Sequence, residues 1–220
     1  MRSPVVRSLL LAVLVAGCAV PAAFARKPTD PKLVPNAADV RIAHQLLLTK
    51  DEAGVGFTVD KSSSKDNTDC AGYKEPDLHL LTETADVDGP ELSNKTAGVF
   101  VASSASVFIS AGQALKAFQT LKAKAVGDCM LKVVKAQGMQ NGRVVPIHLS
   151  VGSLEMFAWD LNGTMTAHGM ALPFEMTLIG YRHSRALSML LVAGIPNAAL
   201  QEKAKELSAR MTLDLLHAKL

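Results

Sequence analysis

Three cysteines carry the most definite chemistry in this chain, at positions 18, 70 and 129. Cys18 closes the run Val15-Ala16-Gly17-Cys18, which follows Arg2, Arg7 and the apolar stretch SLLLAVLVA. A positive start, an apolar core too short to span a bilayer and small residues at its end make an export signal. A thiol in that setting suits acylation, which would make residues 1–17 a lipoprotein signal and Cys18 a lipid-bearing N-terminus. Ala23-Phe24-Ala25 offers a second cut that removes residues 1–25 and discards Cys18. A lipidated cysteine is usually followed by a polar tether, whereas here the residues read AVPAAFA. That favours the second cut and leaves both open. Either cut places the mature chain outside the cytoplasm, in the extracellular space or at the cell envelope, as a soluble or a lipid-anchored protein.

Both cuts leave only Cys70 and Cys129 for pairing. Exported chains meet an oxidising environment, so one disulfide is expected, with two buried thiols as the alternative. The bridge would close a loop of about 60 residues and stabilise the fold by about 4 kcal/mol on chain-entropy grounds.

Other reactive groups form no recognisable constellation in the sequence. It contains no G-x-S-x-G elbow, P-loop, G-x-G-x-x-G or H-E-x-x-H. His44, His79, His148, His168, His183 and His217 lie without i, i+4 or C-x-x-C partners, so no metal ligands are assigned. Asp60, Asp66 and Asp69 lack the spacing and central glycine of a calcium loop and are read as solvated carboxylates. No catalytic residues and no cofactor are expected. Scattered Ser, His and Asp residues are the only support for a small secreted hydrolase.

Charge and composition narrow the partners. The formal charge of +3 falls to +1 once Arg2 and Arg7 leave with the signal, which gives no footprint for nucleic acid or anionic lipid. Aromatic residues make up only 5%, too few for stacking platforms, while 49% hydrophobic residues imply a packed core. Met156, Met165, Met170, Met176, Met189 and Met211 read first as adaptable core fillers. Their concentration would also suit the pocket of an apolar-ligand or lipid carrier.

The elements that must position any site are legible in part. Residues 26–38 form a charged, proline-punctuated tether ahead of one domain over 39–220. A helix is expected to start at the N-cap Asn36 and to end at Gly54 and Gly56. Residues 59–70 read as a polar loop, and 71–94 show no clear element beyond a short one near Leu78–Leu81. VFVASSASVFIS reads as one long strand, or two broken at Ser103-Ser104. Ser110 and Gln113 match a capping box for a helix closed by Gly127, just before Cys129. Asn141-Gly142 and Asn162-Gly163 each suggest a tight hairpin, and a third joins LPFEMTLIG to ALSMLLVAG. The predicted product is a six-strand meander. A last helix starts at Asn197, with Leu200, Ala204, Leu207, Met211 and Leu215 inward and Glu206 pairing with Arg210. The fold class expected is α+β, a single domain with an antiparallel sheet packed against helices.

That order of parts, with a signal, a short helix, a cysteine, a β segment running into VFISAGQALKAFQTLKA, a second cysteine, a hairpin meander and a final helix, resembles the extracellular sensor domains of the PknH type. The resemblance covers roughly residues 39–216 and rests on layout rather than on signature motifs. It implies a ligand-binding sensor without established catalysis, and carries over only the structural pair Cys70 and Cys129. The function expected is therefore an exported, non-enzymatic binding or sensor-like domain acting on a cell-envelope ligand or protein. Membrane contact is expected only through the acylated Cys18.

Overall fold

The computed structural model describes residues 29–60, 76–151, 154–167 and 169–220. Cys18, Asp66, Asp69, Cys70 and His168 lie outside them, as do residues 1–25, the stretch expected to be an export signal. The described chain is an α+β domain built on one nine-stranded sheet. In chain order it comprises β1 (Lys32–Leu33), α1 (Ala37–Gln45), α2 (Lys50–Ala53), β2 (Thr58–Val59), β3 (Thr82–Asp88), β4 (Leu92–Asn94) and β5 (Val99–Phe108). There follow α3 (Ala111–Leu121), α4 (Lys124–Ala136), β6 (Met139–Val151), β7 (Leu154–Ala167), β8 (Met170–His183), β9 (Ala186–Gly194) and α5 (Ala198–His217).

The strands lie in the order β1-β3-β5-β9-β8-β7-β6, with β4 added to β5 and β2 to β4. All pairings are antiparallel except β1 with β3, so the sheet is mixed rather than purely antiparallel. The parallel strand comes from the stretch read as a free tether. There the N–H groups of Lys32, Val34 and Asn36 donate to the carbonyls of Leu81, Glu83 and Thr84, all at 2.8 Å.

Residue alternation makes both faces of the sheet apolar, and helices cover each. Phe157, Trp159 and Leu161 of β7, Phe174 and Met176 of β8 and Leu187 and Leu191 of β9 point to one side, where Ala114, Ala117 and Phe118 of α3 and Val134 of α4 meet them. Leu154 and Ala158, Ile179 and Tyr181, and Leu190 and Val192 point to the other, under Ala43 of α1 and Leu200, Leu207, Met211 and Leu215 of α5. Burial on two faces explains why β9 reads as an almost unbroken apolar run rather than an alternating one.

The caps follow the sequence closely. The side chains of Asn36, Ser110 and Asn197 each accept a backbone N–H from the first turn of α1, α3 and α5. The capping box at Ser110 forms only in half. Gln113 Oε1 turns away to accept the N–H of Thr82 at 2.6 Å, tying α3 to β3. The helix expected up to Gly54 breaks at Leu46, and α2 starts afresh from a complete capping box of Thr49 and Glu52.

Three expectations about glycine and turns are corrected. MLKVVKA, the segment that a hairpin at Asn141-Gly142 would need as its first strand, is the second half of α4, and Asn141 and Gly142 sit in a bulge of β6, Asn141 with φ 53°. Asn162 and Gly163 continue β7 in pairing with Glu175 and Phe174. The β7–β8 connection comes only after Ala167, where Gly169 takes φ 78°. Gly127 does not stop a helix. It lies inside α4, where a Cβ would come within 2.6 Å of the Trp159 ring, so glycine lets the helix settle on the indole. The meander therefore has four strands, β6 to β9, and the third expected hairpin is present with Ser184 and Arg185 at its tip.

Gly180 makes a similar close approach. It stands opposite Phe157, whose ring edge occupies the space a Cβ would need. Gly180→Ala is expected to destabilise the fold by about 1–3 kcal/mol through overpacking. Gly112→Ala, in open space at the start of α3, is expected to stabilise it by up to about 1 kcal/mol. Urea midpoints at unchanged slope would check both.

Candidate functional site

Among the described residues, helices leave one part of the sheet bare. On the α5 face, α5 rests on β8 and β9 while α1 rests on β3 and β5, and no described helix packs on the outer strand β6 from that side. There Val145 and Ile147 are exposed, beside exposed Arg143. Cross-strand register sets Arg143 opposite Asn162 and Asn162 opposite Glu175, and in the next row Val145 opposite Asp160 and Asp160 opposite Thr177.

These side chains form a connected polar ladder. Arg143 Nε donates to Asn162 Oδ1 at 2.5 Å, Asn162 Nδ2 to Asp160 Oδ2 at 3.4 Å, and Thr177 Oγ1 to Asp160 Oδ1 at 3.3 Å. Glu175 completes the group. Burial, and then the nearby negative charge of Asp160, hold its carboxyl above the usual range. Two carboxylates, an amide, a hydroxyl and a guanidinium thus share one rigid surface. Such a surface can exchange hydrogen bonds with a polar ligand or hold a cationic one, and strands fix its geometry better than loops would. The residues were missed in the sequence because reading Asn162-Gly163 as a turn breaks the register that assembles them.

A second polar centre is buried at the opposite end of the sheet. Asp39 of α1 takes both terminal nitrogens of Arg185, at 2.7 and 2.5 Å, and the Thr84 hydroxyl at 2.6 Å. Arg185 Nη1 also donates to the Phe108 carbonyl at 3.3 Å. The Arg185 hydrogen bonds outweigh desolvation and hold the Asp39 carboxyl below its usual range. Every partner is internal, so this is a clamp between α1, β3, β5 and the β8–β9 hairpin. The hydroxyl of Tyr181, deep under α5, lies close enough to Ser208 to be influenced by it but has no partner at hydrogen-bonding geometry. Burial raises its pKa well beyond the ordinary phenol value.

The singled-out residues do not converge. Cys129 lies half-buried in α4. His44, His79 and His217 are exposed on α1, a turn and the end of α5, and His183 ends β8. His79 Nδ1 lies 2.5 Å from Asp77 Oδ1, which also accepts the His79 N–H, so the contact closes a local turn. Among the described residues no three His, Cys, Asp or Glu side chains gather as metal ligands would. The Asp60 N–H donates to the Glu91 carbonyl. The methionines divide between the faces: Met165, Met176 and Met189 join the α3 side, Met156 and Met211 the α5 side, and Met170 is exposed near the β7–β8 connection. Glu206 bonds Lys203, while Arg210 reaches Asp214 and Glu52 instead of the expected Glu206. Among the described residues no helix is long and apolar enough to cross a membrane.

No family model matches the chain, and no curated protein does. Among solved structures, the extracellular domain of PknH from Mycobacterium tuberculosis aligns over 82% of this chain and 98% of its own, at 14% identity and a TM-score of 0.45. That is a distant likeness in fold.

Proposed function

We propose that the chain is an exported, non-enzymatic binding domain of the cell envelope, and that the bare ladder on β6, β7 and β8 is where it meets its ligand. The observation that carries the reading is the hydrogen-bonded run Arg143–Asn162–Asp160–Thr177 on a part of the sheet that no helix among the described residues covers. A structural polar network is normally buried and closed by its own partners, as around Asp39, whereas this one runs from half-buried Asn162 out to exposed Arg143 on the edge strand. Export comes from the leader sequence, with the mature chain either free or held by an acylated Cys18. The ligand class that fits is polar and either cationic or rich in hydroxyls, such as an envelope glycan fragment or a polyamine.

Titration calorimetry of the mature protein against a panel of soluble glycan fragments and polyamines tests this. Saturable binding is expected for at least one member, and Asp160→Asn with Glu175→Gln should weaken it at least about tenfold, the loss of roughly one charge-assisted hydrogen bond. Binding unaffected by that pair would remove the ladder from the reading. Turnover of an ester or glycan substrate would replace it with a hydrolase.

A further inference from the structure

We infer that Asn141 is a site of spontaneous covalent modification, converting to aspartate and isoaspartate through a cyclic imide, while the fold shields the second Asn-Gly pair at Asn162. These are the two asparagines of the chain that precede glycine. Glycine has no side chain to hinder the approach of its nitrogen to the preceding carboxamide. The Gly142 amide nitrogen gives up its proton and attacks Asn141 Cγ, and the Cγ–Nδ2 bond breaks with release of ammonia. Water then opens the ring at its bond to Cγ, giving aspartate, or at its bond to the main-chain carbonyl carbon, giving isoaspartate. One water is consumed and one ammonia released, and nothing is oxidised or reduced.

The bulge of β6 supplies what the reaction needs at Asn141. Gln140 pairs with Thr164 and Arg143 with Asn162, so Asn141 and Gly142 together oppose Gly163 and the ladder is interrupted between them. Asn141 is exposed on the outer strand, where water reaches its carboxamide. Its φ of 53° favours asparagine or glycine, and a Cβ at residue 142 would come within 2.7 Å of Met139 Sδ and 3.0 Å of Leu131 Cδ1. Backbone and packing of the bulge thus select the reactive pair itself. Asn162 has the same neighbour in a different setting. It is half-buried on β7, which is hydrogen-bonded on both sides, by β6 and by β8. Its Oδ1 accepts from Arg143 Nε at 2.5 Å and its Nδ2 donates to Asp160 Oδ2 at 3.4 Å. Gly163 pairs with Phe174 and lies so close to β6 that a Cβ would meet the Gln140 carbonyl at 2.9 Å. Closing the imide there would pull Gly163 out of the sheet. Neither export nor the ligand of the ladder enters the reaction.

The test holds the mature protein in mildly alkaline buffer, folded and, in parallel, unfolded in guanidinium chloride, and follows its tryptic peptides by mass. Cleavage after Lys135, Arg143 and Arg182 puts Asn141 in the peptide 136–143 and Asn162 in the peptide 144–182. In the folded protein the first is expected to gain the mass of one deamidation, and to become a substrate for an isoaspartate methyltransferase, at least about tenfold faster than the second. In the unfolded chain the two should convert at similar rates, because only the fold separates them. Asn141→Gly keeps a residue that suits positive φ at an exposed position, so the melting temperature should hold. The mass gain in 136–143 should vanish in that variant, which assigns it to Asn141 rather than to Gln137 or Gln140. A folded protein whose 136–143 peptide stays unchanged over the time the unfolded chain takes to convert overturns the inference. So does a ratio between the two peptides no larger folded than unfolded, or a gain that survives in Asn141→Gly.

Discussion

Replacing Arg185 with leucine is expected to cost about 3 kcal/mol of folding stability, the lower end for breaking a buried ion pair, since the arginine keeps some contact with water. The loss comes less from the missing attraction than from what is left behind. The Asp39 side chain is only 5% exposed, and without Arg185 it keeps a single hydroxyl donor, Thr84, for a full negative charge. For a chain of this size the melting temperature should fall by about 6–12 °C. The defect should also depend on pH. In the native protein the Asp39 pKa is depressed, so its contribution is fully present above the unfolded carboxylate value and is lost as pH falls through the folded one. In Arg185→Leu the sign reverses. Burial now raises the Asp39 pKa, so protonation relieves the variant as pH falls from that raised value towards the unfolded one of about 4. Below about 4 the native protein loses its own contribution, so the gap between the two proteins should narrow through both windows. Removing both charges in Asp39→Leu with Arg185→Leu should restore much of the loss. Denaturant melts of the three proteins at neutral and acid pH decide it. A gap under about 1 kcal/mol that ignores pH would mean the pair is solvated in solution.

That clamp could not be found by reading along the chain, because its partners are separated by 146 positions. Local signals fared better. Asn36, Ser110 and Asn197 were legible as N-caps because a side chain that accepts a first-turn N–H acts within three residues of itself. The inward set of α5 was legible for the same reason, as was the β8–β9 hairpin between two apolar runs. Asn-Gly was misleading because the pair that suits a tight turn also suits a bulge, where Asn141 again takes positive φ. At Gly163 the requirement is space, since a Cβ would meet the Gln140 carbonyl at 2.9 Å. β3 escaped notice because its sequence, TETADVD, lies near the sheet margin and buries only Glu83 and Ala85, an acid and a small residue, which leaves no apolar alternation to read. The candidate site inherits these limits. Asp160 and Asn162, like Glu175 and Thr177, have the i, i+2 spacing of one sheet face, but only the true register of β7 on β8 sets the pairs side by side.

The Cys70–Cys129 bridge remains a proposal, and its loss is expected to be the other large effect. Cys129 sits in α4, the helix whose Gly127 is seated on Trp159, so a covalent tie at that helix would hold the packing over β6 and β7. Closing a loop of about 60 residues restricts the unfolded chain by about 4 kcal/mol, and distortion of α4 would reduce that figure. Cys129→Ser is therefore expected to lower stability by about 2–4 kcal/mol, and Cys70→Ser by the same amount. The double variant should be no worse than either single one, because one bond is lost in each case. Thiol titration in denaturant comes first. Mature protein cut after Ala25 should show no free thiol before reduction and two after it. Reduced wild type should then melt where the single variants do. Two free thiols in unreduced protein would leave the cysteines as packing residues, and the stability of this fold would rest on its two apolar sheet faces and the Asp39 clamp.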